Sequence, residues 1–348
     1  MNKHQGYILI CMMVLLIVVM MLSSCIGAVE ISVSELLAII ANKTGLSETS
    51  AFKTQQAAVL LNIRLPRVVL GVLVGAGLGI SGAAIQGLFR NPLAEPGLIG
   101  ISAGATLFAV LMIVLEVGIF KVLSGIIGFY ALSLAAFVGA CITTFMVYRL
   151  ATRNGKTSTI TLLLSGIAIN ALSGSFTGLL TYLATDEQLR TITFWSLGSL
   201  GGANWDTVAG ITPFIIIPVA GLPFMAKSLN ALSLGDAEAL HLGIDVVLLK
   251  RVIIVFATIA VGASVAVAGM IGFIGLIIPH IIRMTFSADH RLVIPGSAIL
   301  GAVLLTLADL MARTIVAPAE LPIGILTALI GTPVFLYIII TERNKNKI

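Results

Sequence analysis

Three arginines are the groups in this sequence best suited to recognition chemistry. Arg64 and Arg67 frame Arg64-Leu65-Pro66-Arg67 at the start of a long apolar run, and Arg313 stands near the end of another. A guanidinium presents a planar fork of donors that matches a carboxylate, so such residues on one rim form a cationic surface for an acidic soluble partner. A local role competes with this: Asp309 precedes Arg313 by the spacing of an intrahelical pair, and arginines at the ends of apolar runs snorkel to the interface. A second constellation is a stripe of small and polar residues. At about 100° per residue, Gly166, Asn170, Ser173, Gly174, Thr177 and Thr181 fall on one helical face, against a Leu, Ile and Phe face opposite. Within a bilayer such a stripe faces either another helix or a wet passage, and Asn170 is its sharpest member because an unpaired amide in hydrocarbon is costly.

A third constellation is the polar segment 227–250, which reads as two short helices broken at Gly235 and Gly243, with Ser233 or Asp236 as the cap of the second. Leu232, Leu234, Ala237, Leu240 and Leu242 give it an apolar face, the signature of a docking element rather than a floppy linker; His241 reads as solvated. Covalent chemistry has no comparable candidates. His280 follows Pro279 and reads as a helix-start residue rather than a metal or haem ligand. Cys11, Cys25 and Cys141 lie in apolar runs without metal-ligand spacing. Glu95, between two prolines, and Glu320 are lone carboxylates, placed in turns at opposite ends of the spans. Gly155-Lys156-Thr157 lacks the upstream glycine of a phosphate loop, and Gly77–Gly82 matches GxGxxG with no strand before it. No enzyme site, metal site or ATP site emerges.

These groups are set in an almost wholly apolar chain. Of 348 residues 58% are hydrophobic and 10% charged, against about 25% charged in soluble domains. The fold class is therefore all-α: a polytopic membrane protein. The net charge of +5 is no nucleic-acid signal, since the basic residues sit singly at the ends of apolar runs. Ten spans are predicted, near 6–28, 65–89, 98–116, 122–149, 158–184, 207–226, 251–271, 273–287, 293–314 and 322–341, with a short helix near 187–200 on or partly in the membrane. The first resembles a lipoprotein signal ending at Cys25, but an uncleaved span is the simpler reading. Glycines spaced by four, Gly71, Gly75 and Gly79 in the second span and Gly100 and Gly104 in the third, predict close helix packing.

With both termini cytoplasmic, thirteen Lys and Arg residues fall inside and seven outside, which selects that orientation. Arg64, Val68, Val74, Gly75, Ala76, Gly82 and Pro92 recur as Arg251, Val255, Val261, Gly262, Ala263, Gly269 and Pro279. An offset of five spans makes the copies antiparallel, an inverted-topology repeat with halves near 64–200 and 251–341 within a single transmembrane unit spanning 1–348.

The segments RLPRVVLGVLVGAGLGISGAAIQGLFRNPLAEPGLIGISAGA (64–105), GFIGLIIPHIIR (272–283) with DHR (289–291), and AELPIGILTALIGTPVF (319–335) resemble the membrane permeases of ABC importers for iron-siderophores, haem and cobalamin, over about residues 6–341. The resemblance implies a homodimer or heterodimer of ten-span subunits, two ATPase subunits carrying the ATP and Mg, and an extracytoplasmic substrate-binding protein. It implies that Arg64, Arg67 and Arg313 meet that binding protein. It places Leu232, Leu234, Gly235, Asp236, Ala237, Leu240 and Gly243 in an ATPase cleft. It lines the pathway with the Gly166–Thr181 stripe. The cargo implied is an iron compound, haem before ferric siderophore, with cobalamin as the alternative. An ion-coupled secondary transporter is the competing class, and Asp309 its one candidate residue.

Overall fold

The computed structural model describes residues 3–46, 52–115 and 130–345. Its helices, numbered in chain order, are α1 Lys3–Cys25, α2 Val33–Lys43, α3 Thr54–Val59, α4 Leu65–Phe89, α5 Ile101–Leu115, α6 Ala131–Ala151, α7 Thr159–Tyr182, α8 Asp186–Leu197, α9 Trp205–Gly221, α10 Ala226–Leu232, α11 Asp236–His241, α12 Val246–Ala268, α13 Ile274–Thr285, α14 His290–Ala312 and α15 Ile323–Lys345. A π-helical turn, Leu60–Arg64, joins α3 to α4. Among the described residues seven helical segments are long and apolar enough to cross a membrane, and Ile101–Leu115, Ile274–Thr285 and Ile323–Ile338 are shorter apolar helices. Each apolar segment that the sequence predicts, the first included, overlaps a helix among the described residues: 6–28 overlaps α1, and 65–89 coincides with α4. The start of the predicted fourth span lies outside the described residues.

The bundle is built around α4, which α14, α12, α13 and α9 surround. Glycine permits this. A Cβ on Gly75 would lie 2.8 Å from the Ala302 Cα, Gly79 abuts the Ser297 carbonyl, and Gly82 abuts Gly275. Backbones thus approach where side chains would hold them apart, as the spacing by four predicts. Gly104 and Gly139 make the same kind of seam between α5 and α6. The first helix is integral: Leu16 and Val19 pack on Ala302 and Val303 of α14.

α1 and α4 run in opposite directions. Ser24 and Cys25 meet Arg64 at one end, whereas Gln5 meets Asp289 at the other. α12 also opposes α4: Lys250 near its start and Arg90 at the end of α4 share Asp236. The sequence echo does not hold residue by residue: Gly82 lies inside α4, but Gly269 caps α12 in a left-handed conformation (φ 68°), and Arg64 precedes α4 while Arg251 lies inside α12. His280 is buried in the middle of α13, not at its start. Residues 152–157 form a small antiparallel hairpin turning at Asn154-Gly155, both at positive φ (51° and 75°). That is the geometry of a primed two-residue turn, and it accounts for the Gly-Lys-Thr triplet without a phosphate.

The chain after α4 does not stay at the bundle's end. Arg90 caps α4 in the left-handed region (φ 51°), and residues 91–99 turn back inside as far as the 3-10 turn Pro96–Ile99. Asn170, about 16 Å along α7 from Thr159 at about 1.5 Å per residue, donates to the Gly97 carbonyl at 3.0 Å. The segment 91–99 therefore runs back alongside α7, which corrects the reading of Glu95 as an end-turn carboxylate, and the Glu95 side chain is exposed there rather than packed in the bundle.

Candidate functional site: two ends and a seam

At the end bearing Arg64, the three arginines are engaged within the chain. Arg64 is buried and donates to the carbonyls of Ser24 (2.9 Å), Cys25 (2.8 Å) and Val29. Arg313 donates to the carbonyls of Ile26 (2.7 Å) and Ser23 and to the Ser23 hydroxyl (3.0 Å). The last carbonyls of a helix lack intrahelical donors, and two cations supply them here. Arg67 forks between two acids: Nε and Nη2 each lie 2.9 Å from Asp309 Oδ1, and Nη1 and Nη2 reach the Glu320 carboxylate at 2.8 and 3.0 Å. Asp309 also lies 3.6 Å from Arg313, the intrahelical pair that the spacing allows. These residues are thus not a free cationic rim. The Arg67 hydrogen bonds and charge hold the Glu320 carboxyl below the usual range.

At the opposite end the segment 226–244 forms α10 and α11, broken at Gly235 (φ 140°) and Gly243 (φ 80°) as its glycines predict. Its apolar residues divide. Leu232 and Ala239 are buried, whereas Leu234, Leu240 and Leu242 are 67%, 65% and 62% exposed, with Ala237 and Gly243 exposed among them. Leu232 and the buried Gly235 are therefore anchors, not contact residues. Neither Ser233 nor Asp236 caps α11, whose N-cap Gly235 has no side chain to do so. The Asp236 carboxylate instead pairs with Lys250 of α12 (2.6 Å) and Arg90 at the end of α4 (3.5 Å).

α10 is held by a second set of bonds. Asn230 Nδ2 donates to Asp289 Oδ1 (2.6 Å), and Asn230 Oδ1 accepts from the His290 N–H (3.0 Å) and Nδ1 (2.8 Å). An amide oxygen only accepts, so His290 carries its proton on Nδ1 and leaves Nε2 to accept from Arg283 Nη2 at 3.4 Å. Arg283 also bonds Gln86 of α4, whose own amide donates to the Leu276 carbonyl (2.9 Å). Burial opposes charge on Asp289, but bonds from the Arg291 N–H, Asn230 and Gln5 outweigh it and lower its pKa. A continuous polar chain thus runs from the exposed loop through α14 and α13 into α4. The sequence reading missed Gln86, Asn230, Lys250, Arg283, Asp289 and His290 as partners; polar residues inside apolar runs, Gln86 above all, were the available signal.

The α7 stripe also divides. Gly166 abuts the Leu98 carbonyl and Asn170 holds Gly97, so these two pack against the re-entrant segment 91–99, and Ser173 is buried. Thr177 and Thr181 bond carbonyls of their own helix (2.8 and 2.7 Å). Gly174 is open, with no atom within 4 Å of where a Cβ would stand. Among the described residues no group of three His, Cys, Asp or Glu side chains is placed to hold a metal ion.

A buried bundle with an anchored, leucine-tipped loop at one end matches known proteins closely. The chain is 48% identical over 288 residues to the hemin transport system permease protein HmuU of Yersinia pestis, covering 82% of this chain and 84% of that one. It is 43% identical over 277 residues to the cobalamin import system permease protein BtuC of Halobacterium salinarum, covering 80% and 72%. With the vitamin B12 import system permease protein BtuC of Escherichia coli O9:H4 it shares 38% over 336 residues, 96% and 95% of the two chains. Among solved structures, a chain of a metal-chelate type ABC transporter in an inward-facing conformation superposes with a TM-score of 0.83 at 30% identity, covering 97% of this chain and 99% of that one. The family model for the FecCD transport family matches residues 15–341, and with these likenesses the chain belongs to that family, a polytopic helical permease of the ABC transporters.

Proposed function

We propose that this chain is the permease subunit of an ATP-driven importer that passes a metal chelate across the cytoplasmic membrane, with ten spans, an inverted repeat and both termini cytoplasmic. The observation that carries the reading is the α10–α11 loop: three exposed leucines fixed by Asp236 to α4 and α12 and by Asn230 to α14. An apolar tip on an anchored base transmits rigid-body motion, which suits docking in an ATPase cleft. ATP and Mg belong to that partner, and this chain is not itself an enzyme. The exposed apolar faces of α7 and α15 suit lipid and a second permease copy. The binding protein docks at the Arg64 end, where Arg64, Arg67 and Arg313 act chiefly by holding residues 23–29 and 320 in shape.

Haem, an iron compound, is the first cargo, because the relative named for hemin shares the highest identity of those compared above; ferric siderophores follow. Cobalamin is the second reading, supported by the relatives named for it. Reconstitution with the cognate ATPase and binding protein tests this by ATP-dependent uptake of haemin and of cyanocobalamin. Asp236→Asn should leave assembly intact but lower cargo moved per ATP hydrolysed. Uptake that persists without the ATPase subunit overturns the class, and an unchanged ratio in Asp236→Asn overturns the coupling role.

A further inference from the structure

The re-entrant segment 91–99 opens onto a cavity of about 300 Å³ between α4, α7, α12 and the bend 269–273 before α13. Most of its lining is apolar, including Leu78, Val261, Met270 and Phe273. Three oxygen-bearing side chains interrupt that lining, Glu95, Ser102 and Asn170. They gather around Gly97. A Cβ there would stand 3.2 Å from Glu95 Oε1 and 3.9 Å from Ser102 Oγ, and the Gly97 carbonyl accepts from Asn170 Nδ2 at 3.0 Å. That bond turns Asn170 Oδ1 the other way, where it is buried without a partner. Among the described residues the Glu95 carboxylate has no ion pair or hydrogen bond, and no Lys, Arg or His lines the cavity.

The Glu95 side chain is exposed and lines the cavity without a counter-charge, whereas the Asn170 amide oxygen is buried bare; a bare buried acceptor at membrane depth is costly and persists where a ligand or water uses it. Both are acceptors, so the complementary ligand brings donors. We propose that Glu95, Asn170 and Ser102 form a subsite on the transport path that takes the ammonium, amide or hydroxyl edge of a passing cargo and repels a carboxylate edge. This rests on the permease reading. An amide-fringed macrocycle finds acceptors there, whereas a carboxylate-bearing one passes with those groups turned away. The cavity wall is also tied to the loop at the far end: the Leu276 carbonyl accepts from Gln86, the last link of the chain through Arg283 and His290 to Asn230.

The test reads charge selectivity with small probes, so it does not depend on which chelate is carried. In the assembled transporter in liposomes, with Cys11, Cys25 and Cys141 replaced by alanine, Ser102→Cys is labelled with cationic methanethiosulfonate ethylammonium and with anionic methanethiosulfonate ethylsulfonate. The cationic reagent should be favoured about tenfold beyond its advantage on a free thiol, the order expected of one carboxylate a few ångströms away in a partly open cavity. Glu95→Gln should abolish that excess, and Asn170→Asp should enlarge it several-fold. An unchanged ratio in Glu95→Gln overturns the subsite. So does a Ser102→Cys variant inert to both reagents with and without ATP. Failure of ATP-dependent uptake would instead strike the permease reading, independently of these ratios.

Discussion

Removing the Arg67 guanidinium should destabilise the fold by about 3–5 kcal/mol, the cost of breaking a buried ion pair from one side. The magnitude follows from where its two partners lie. Asp309 is 2% exposed and takes two nitrogens of Arg67; without them its nearest cation is the Arg313 Nε at 3.6 Å. Glu320 is 46% exposed, so water replaces much of what Arg67 supplies, and that pair contributes about 0–1 kcal/mol. Asp309 therefore dominates. At roughly 2 °C per kcal/mol for a large chain, Arg67→Ala should lower the midpoint of thermal unfolding in detergent by about 6–10 °C. Glu320→Ala should lower it by about 2 °C or less. Arg67→Leu combined with Asp309→Leu should recover most of the loss, because the stranded charge is gone. The reasoning fails if Arg67→Ala unfolds with the wild type, or if Arg67→Ala and Glu320→Ala lose the same amount. Charge reversal at Arg67 thus perturbs stability as well as docking, and a docking assay with that variant needs its unfolding midpoint alongside.

Replacing Leu234, Leu240 and Leu242 together with serine should weaken ATPase association by at least about 100-fold, since docking each exposed leucine contributes about 1–2 kcal/mol; unchanged co-purification of the ATPase would exclude this face as the docking surface. Gly75→Val should abolish folded protein, because its Cβ meets the Gly301–Ala302 backbone; a monodisperse variant at wild-type yield would show that the α4–α14 seam gives way. The Glu320 pKa is depressed in the folded state, so its contribution is present above about pH 4.3, the ordinary glutamate value, and is lost as pH falls through the folded value. Glu320→Gln should flatten that part of the unfolding-against-pH curve, and identical acid limbs in the two proteins would refute it.

Legibility in the sequence followed the range of the interaction. The limits of α4 and the breaks at Gly235 and Gly243 are written locally, in apolar runs and in the residues that interrupt them. The hairpin at Asn154-Gly155 is equally local, but its Lys-Thr resembles a phosphate loop and masks the turn signal. The partners of the arginines are not local. Arg67 finds Asp309 across 242 positions, and Arg283 finds Gln86 across 197. Nothing near either residue announces its partner.

By itself, then, the sequence determined the class of protein, the place of nearly every helix, the small-residue seams and the exposed loop. Hydropathy and glycine spacing act over a few residues, and the bilayer admits few ways to satisfy them. Only the tertiary structure decided which charges were available. It committed Arg64 and Arg313 to the carbonyls that end α1, turned Leu232 inward, split the α7 stripe, and carried the segment bearing Glu95 from an end turn back alongside α7. Each of these depends on which backbones approach closely enough to compete for a side chain, and that is settled by packing between helices far apart in the chain.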